Sequence, residues 1–263
     1  MGREARLPVV LVPGWALPAA AWADVAADLA PGREVALLDL PGQGERRAEP
    51  PAADLDGLAA RLLEAAPGRA LWAGWSLGGL AALAAALAAP DRVAGLALVA
   101  ATPRFTAAPG WPGVEPAVLE GFARDLAADP AATLRRFLAL QVRGAAGATA
   151  TLRRLQALLE AAGPPHPRAL EAGLAMLAGA DLRGRLGAVR APTAVIGGGR
   201  DRLVPPQALR RTAAALPDAE AVLLPEAGHA PFLSHPGEVL AALRALLARV
   251  EGTGAARGAG GRA

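Results

Sequence analysis

Six short apolar runs, at residues 8–12, 35–39, 70–75, 95–99, 193–197 and 221–224, are separated by stretches with the apolar spacing of helices. This alternation limits the fold more than any other feature of the chain. Continuous apolar strands suit a parallel sheet buried on both faces, with helices supplying the cover. The helical candidates are residues 20–29, 54–66, 77–89, 207–216 and 236–250. Pro90 and Pro217 end two of them through a rigid ring and a missing N–H. Between residues 103 and 190 the strand signal vanishes and only amphipathic helix remains, as in AVLEGFARDLAADP, AATLRRFLALQ and TLRRLQALLEAA. The expected organisation is an α/β core of residues 1–102 and 191–250, with a mostly parallel central sheet flanked by helices. An all-helical insertion, residues 103–190, would lie over the sheet's carboxyl edge as a lid, and residues 251–263 would form a flexible tail.

A chain of 263 residues has room for one large α/β domain carrying such an insertion. Hydrophobic residues make up 53%, but alanine supplies much of that, and no run approaches the roughly 20 apolar residues that span a bilayer. Arg3 and Arg6 ahead of an apolar stretch imitate a signal peptide. Pro8, Pro13 and Gly14 break the stretch up, so a buried strand accounts for it better. With no cysteine there are no disulfides and no thiolate metal sites, which agrees with a cytoplasmic protein. Net charge is only +3, and no basic stripe interleaves with aromatics, so no nucleic-acid partner is expected. Charge is uneven, however. Residues 130–160 hold Arg135, Arg136, Arg143, Arg153 and Arg154 against a single acid, Glu160, which on the residues alone reads as a solvated helix face.

The chain has two serines, Ser76 and Ser234. Ser76 stands in Gly74-Trp75-Ser76-Leu77-Gly78, a G-x-S-x-G pattern between a predicted strand and a predicted helix, where the turn lifts the hydroxyl above the sheet. The pentapeptide alone would also fit a glycine-rich turn with an incidental N-cap serine. Partners favour the first reading, because a serine hydroxyl needs a base and the base needs an orienting group. Of three histidines, His166 lies in a proline-rich loop and is expected at the surface, and His235 precedes a helix and is expected to cap or pack. His229 lies beyond the last strand, and Asp201 lies just beyond the strand at 193–197. Asp218, an alternative acid, lies before a strand, at the wrong edge of the sheet. The order Ser76, Asp201, His229 is that of α/β-hydrolases. The N–H of Leu77 would serve an oxyanion, with a second donor from Gly14 or Trp15 in LVPGWAL. DLPGQGERR, residues 39–47, reads as a structural turn.

The segments PGWAL, LDLPGQGERR, WAGWSLGGLAA, WPGVEPAVLEGFARDL, LRRFLALQ, DRLVP and AGHAPFLSHP together resemble the BioH family, the pimeloyl-acyl carrier protein methyl ester esterases of biotin synthesis. The resemblance implies an α/β-hydrolase fold and hydrolysis of pimeloyl-acyl carrier protein methyl ester to pimeloyl-acyl carrier protein and methanol. It implies Ser76 as nucleophile, His229 as base and Asp201 as its orienter, with the N–H groups of Trp15 and Leu77 at the oxyanion. It also implies that Phe137, Leu138, Ala139, Leu140 and Gln141 line the acyl pocket, and that Arg136 and Arg153 dock an acidic acyl carrier protein. No metal or organic cofactor is implied, and the protein would act as a monomer. Pro13 stands where many relatives have histidine, and the initial hairpin common among them is shortened or absent. A generalist carboxylesterase, a lyase or carbon–carbon hydrolase with the same triad, and a binding protein on an inactive hydrolase fold are the alternatives.

Overall fold

The computed structural model describes residues 6–259. Six strands, β1 (Val9–Val12), β2 (Val35–Leu37), β3 (Ala70–Trp75), β4 (Val93–Val99), β5 (Thr193–Gly198) and β6 (Ala219–Leu224), form one sheet in the order β2-β1-β3-β4-β5-β6. Every pairing is parallel. The helices are α1 (Ala23–Leu29), α2 (Leu55–Ala65), α3 (Leu77–Ala88), α4 (Pro116–Ala128), α5 (Pro130–Val142), α6 (Ala148–Ala162), α7 (Pro167–Gly179), α8 (Pro206–Ala215), α9 (Pro231–Ser234) and α10 (Pro236–Ala259).

Strand side chains alternate between two cores, as the pleat requires. Val10, Val12 and Trp72 pack with Leu58, Leu80 and Leu209 on one face, where α2, α3 and α8 lie. Val9, Leu11 and Leu71 pack with Val25 and Leu243 on the other, under α1 and α10. Both faces of β1, β3, β4 and β5 are covered, which is why these strands read as unbroken apolar runs, while the edge strands β2 and β6 are partly exposed.

The order of the strands reverses beside β1: the chain passes from β1 to β2 on one side, then returns to place β3 on the other. In open parallel sheets, ligands bind outside the carboxyl ends of the strands at such a point. The loop after β1 and the turn after β3 flank that point.

Between β4 and β5 the chain makes α4 to α7. Pro at the first helical position and a side-chain cap start two of these helices. Asp129 accepts from Ala132 N–H ahead of α5, and His166 accepts from Arg168 N–H ahead of α7. The two ends of the insertion are tied together where it leaves the sheet: Leu182 N–H donates to Pro103 O at 2.9 Å, and Asp181 pairs with Arg104 at 2.9 Å. Its apolar side chains join both core clusters, with Phe137 and Leu174 in one and Leu138 and Leu155 in the other.

Two expectations need correction. The insertion is not helical throughout, since residues 105–114 form two isolated β-bridges, Thr106–Val114 and Ala108–Trp111. Prolines 109 and 112 remove donors there, and Gly110 takes a positive φ of 70°. The last helix also runs to Ala259, past residue 250 where the sequence reading began a tail. Glu251 anchors it by accepting from Leu7 N–H at 3.1 Å and from Arg33 at 2.8 Å. Residues 260–263 of that expected tail lie outside the described residues. No helix among the described residues is long and apolar enough to cross a membrane.

Candidate active site

Ser76 opens α3 with φ 54° and ψ −119°, a positive φ that serine adopts only when its surroundings force it. The forcing comes from close packing on both sides of the turn. A Cβ at Gly74 would lie 2.3 Å from Gly78 O, and one at Gly78 would lie 2.3 Å from Pro13 O. Only glycine lets β3, the start of α3 and the loop after β1 come this close. The glycines two before and two after the serine are therefore steric necessities.

Three side chains meet at the carboxyl edge. Ser76 Oγ lies 2.9 Å from His229 Nε2, and His229 Nδ1 lies 2.7 Å from Asp201 Oδ2. All three are buried, with Ser76 3% exposed and His229 0%. Asp201 follows β5, and its Oδ1 accepts from Leu203 N–H at 2.8 Å and Val204 N–H at 3.0 Å. One carboxylate oxygen is thus fixed by its own turn, which aims the other at the imidazole. A carboxylate on Nδ1 selects the tautomer with the proton there and leaves Nε2 free to accept from the serine.

The loop after β1 lies against the serine, since a Cβ on Gly14 would stand 3.2 Å from Ser76 Cβ. Leu77 is the first residue of α3, where backbone N–H groups have no intrahelical acceptor and the helix dipole favours negative charge. Trp15 is clamped by the insertion. Its Nε1–H donates to Leu170 O at 2.9 Å, its ring meets Phe137 edge-on at 4.7 Å, and Gly173 of α7 leaves room for it. Asp39 braces the same loop from β2 by accepting from Ala19 N–H at 2.5 Å and Glu45 N–H at 2.8 Å. Burial raises the Asp39 pKa above its ordinary value, although those two backbone donors pull it down.

The five-residue run expected to line an acyl pocket divides by helix face. Residues 137–141 span more than one turn, so they cannot share a wall. Phe137 meets Trp15, and Gln141, four residues on, accepts at its backbone O from His229 N–H at 2.8 Å. The Gln141 side chain is 1% exposed and neither its oxygen nor its nitrogen has a hydrogen-bond partner. Leu138 instead faces a separate cavity with Leu134 and Leu159, and Leu140 is half-buried near Arg143 and Arg202. Ala139 is exposed, a correction that follows from its place on the outer face of α5.

The remaining candidates lie away from this centre. Arg136 and Arg153 are exposed on α5 and α6; Arg136 pairs with Asp125 at 2.7 Å, while Arg153 has no ion pair among the described residues. His166 is exposed and caps α7, and His235 Nδ1 lies 2.8 Å from Ser234 Oγ just before α10. Asp218 pairs with Arg249 at 2.5 Å at the opposite edge of the sheet. Among the described residues, no three His, Asp or Glu side chains are grouped to hold a metal ion. One residue that motif reading passed over is Trp75, whose Nε1–H donates to His229 O at 2.6 Å. The residue just before Ser76 thus holds the loop that carries His229.

A family model described as the alpha/beta hydrolase fold matches residues 8–236. The pimeloyl-[acyl-carrier protein] methyl ester esterase of Stenotrophomonas maltophilia is 46% identical over 241 residues, covering 91% of this chain and 92% of that one. The chain belongs to this esterase family of α/β hydrolases. The esterase of the same name from Xanthomonas oryzae is 43% identical over 243 residues, 92% of this chain and 95% of that one. Among solved structures, a thermophilic esterase from Thermogutta terrifontis superposes with a TM-score of 0.77 at 26% identity, covering 93% of this chain and 90% of that one. An esterase from Exiguobacterium antarcticum shares the fold with a TM-score of 0.82 at 19% identity, over 92% of each chain. Matches covering nine-tenths of both chains take in the insertion as well as the α/β core, so the family membership extends to the elements that cover Ser76.

Proposed function

We propose that this member of the esterase family hydrolyses the methyl ester of pimeloyl-acyl carrier protein, releasing methanol and the free carboxylate for biotin synthesis. The observation that carries the reading is a Ser76–His229–Asp201 hydrogen-bonded chain under an insertion that is itself part of the match to the methyl ester esterases. His229 Nε2 takes the Ser76 proton as Oγ attacks the ester carbonyl. The tetrahedral oxyanion is held by the N–H groups of Trp15 and Leu77, and the Asp201 carboxylate stabilises the imidazolium. Collapse expels methoxide, which leaves as methanol with the proton from His229. Water, deprotonated by the same histidine, then attacks the acyl-serine; the second tetrahedral intermediate breaks the bond to Oγ and returns the proton to Ser76. The buried, unpartnered Gln141 amide lies on the face of α5 next to His229 and supplies hydrogen bonds to the polar end of the acyl chain.

In this reading residues 103–190 form a substrate-selecting lid, with Arg136 and Arg153 meeting the acidic carrier. Complementary charge there speeds encounter and sets register more than it deepens affinity. In the same reading the protein works in the cytoplasm as a monomer, with Ser76, His229 and Asp201 all supplied by one chain. The test is hydrolysis of methyl pimeloyl-carrier protein by the wild type and by Ser76→Ala, together with rescue of a biotin-requiring strain that lacks this esterase. Rescue by the wild type alone is expected. Rescue by Ser76→Ala, or cleavage of small esters with no action on the carrier ester, overturns the proposal.

A further inference from the structure

Arg143 and Arg202 reach one cleft from different parts of the chain. Arg143 is the first residue past α5, and Arg202 directly follows Asp201 in the loop after β5. With half-buried Leu140 they line a cleft of about 250 Å³. The turn after α5 brings them together there: Gly144 takes φ 80°, and a Cβ on it would stand 3.9 Å from an Nη of Arg202. Both arginines are exposed, and the side chain of neither has a hydrogen bond or an ion pair among the described residues. The neighbouring acids are already engaged. Glu226, whose backbone O accepts from Ala146 N–H in the same turn, has its carboxylate on Arg200 at 3.2 Å, and Asp201 is on His229. A cation past the end of a helix suits the dipole, which accounts for Arg143 by itself. It does not account for Arg202, which comes from another element, and the carbonyls of Leu140, Gln141 and Val142 already accept from the N–H groups of Arg143, His229 and Ala145. Two like charges brought to one cleft repel unless an anion stands between them.

We propose that Arg143 and Arg202 form a site for a doubly charged oxyanion, inorganic phosphate or the terminal phosphate of a small metabolite, which ties the insertion to the core. Guanidinium groups bind phosphate oxygens through paired N–H donors, and freedom from carboxylate partners leaves those donors available. Two such groups match the charge of a phosphate, about −1.5 to −2 at neutral pH for a monoester. Leu140 gives the cleft an apolar side on which a few carbon atoms can rest. None of Ser76, Asp201 and His229 lines the cleft, so the site is separate from the proposed active centre and does not depend on which ester is hydrolysed. It is nevertheless joined to that centre through the backbone. Ala146 N–H donates to Glu226 O at 2.9 Å and His229 N–H to Gln141 O at 2.8 Å, and a Cβ on Gly228 would stand 2.7 Å from Gln141 O. The turn that carries Arg143 is thus packed on the loop that carries His229, while Arg202 adjoins Asp201. An anion held by both arginines draws the end of α5 onto the loops of both residues.

Thermal melts and hydrogen exchange of the full chain, with inorganic phosphate replacing chloride at constant ionic strength, test the site. At about ten times its dissociation constant, phosphate should raise the wild-type Tm by roughly 2–5 °C and slow exchange over residues 141–146. Arg143→Gln/Arg202→Gln should show neither response; both side chains are exposed, so the variant keeps the fold. Arg135→Gln/Arg153→Gln, which removes the same charge from two other arginines without an ion pair among the described residues, should respond as the wild type does. A wild type that phosphate leaves unmoved in either measurement, an Arg143/Arg202 variant that responds fully, or an Arg135/Arg153 variant that loses the response equally overturns the proposal. Glycerol 3-phosphate run in parallel separates the two sources. A shift at least as large as that with phosphate assigns the site to a phosphorylated metabolite, and a shift with inorganic phosphate alone assigns it to the free ion.

Discussion

Replacing Gly173 with alanine sets two opposing effects against each other in one helix. A Cβ at Gly173 would come within 2.5 Å of Trp15 Cδ1, 2.9 Å of its Nε1 and 3.1 Å of Leu77 Cδ2. Trp15 is 1% exposed, held by its bond to Leu170 O and by Phe137, so relief requires rotating the indole or moving α7 outward. Alanine gains about 1 kcal/mol over glycine in intrinsic helix propensity. Overpacking costs about 1–3 kcal/mol, and loss of the Trp15–Leu170 bond adds about 1. The net expectation is destabilisation by about 1–3 kcal/mol, seen as a Tm lower by roughly 3–10 °C. Gly179, at the end of the same helix, has nothing within 4 Å of its missing Cβ and serves as the internal control. Gly179→Ala should hold or raise Tm. Because Trp15 is also a proposed oxyanion donor, Gly173→Ala should lower kcat on a small p-nitrophenyl ester by on the order of tenfold, short of the roughly 100- to 1,000-fold that follows outright loss of a donor. Thermal melts and steady-state kinetics on both variants read the two effects separately. Should both substitutions raise Tm alike and leave kcat unchanged, the seat of α7 on Trp15 is not what holds this loop.

Asp201→Asn keeps the shape of the acid but not its charge, and should lower kcat by about 10⁴-fold while leaving KM near the wild-type value. Arg136→Glu/Arg153→Glu should raise KM for the carrier ester by on the order of tenfold, with an effect that fades at high salt and is absent for a p-nitrophenyl ester; equal effects on both substrates would remove the docking role. Asp181, Glu49 and Glu251 have pKa values below the ordinary carboxylate range, chiefly through the side chains of Arg183, Arg46 and Arg33 respectively. A carboxylate with a depressed folded-state pKa adds stability above its unfolded pKa and loses it as pH falls through the folded value, so Tm should drop on acidification below about pH 4.5. Asp181→Asn, which cuts the tie from Arg104 to Arg183, should flatten that acid slope; an unchanged slope removes Asp181 from the account.

What the sequence disclosed and what it withheld divide along physical lines. The four inner strands, buried along their whole length, leave unbroken apolar runs; the edge strands β2 and β6 are partly exposed yet keep enough apolar residues to be legible, and only strand ends moved, as where β4 starts at Val93 and β6 at Ala219. Ser76, Asp201 and His229 were legible because each follows a strand, and the carboxyl ends of a parallel sheet share one edge. Contacts between a side chain and a distant backbone leave no such trace. Trp75 reaches His229 O across 154 positions, and Trp15 reaches Leu170 O across 155. Helical periodicity in the insertion was visible, but a periodic pattern shows that a face is apolar without saying what it covers. The family resemblance likewise carries over residues 137–141 as one stretch without its helix faces, and their side chains turn toward the site, a second cavity and solvent.

The supports of the three residues of the proposed triad are unequal. Ser76 is fixed by β3 and α3, and Asp201 by the N–H groups of Leu203 and Val204 in its own turn. His229 alone depends on the insertion, through its N–H to Gln141 O, and on Trp75 through its carbonyl. Trp15 likewise hangs from Leu170 and Phe137. The proposed base and oxyanion loop are therefore positioned by the elements proposed to select the substrate, while the proposed nucleophile and acid are positioned by the core. Under the proposed function, a substrate that fits beneath the insertion favours the packing that holds His229 and Trp15 in place, and one that forces the insertion outward disturbs both. Discrimination among esters should consequently appear in kcat as well as in KM, since binding energy spent on the insertion also buttresses the groups that act in the transition state.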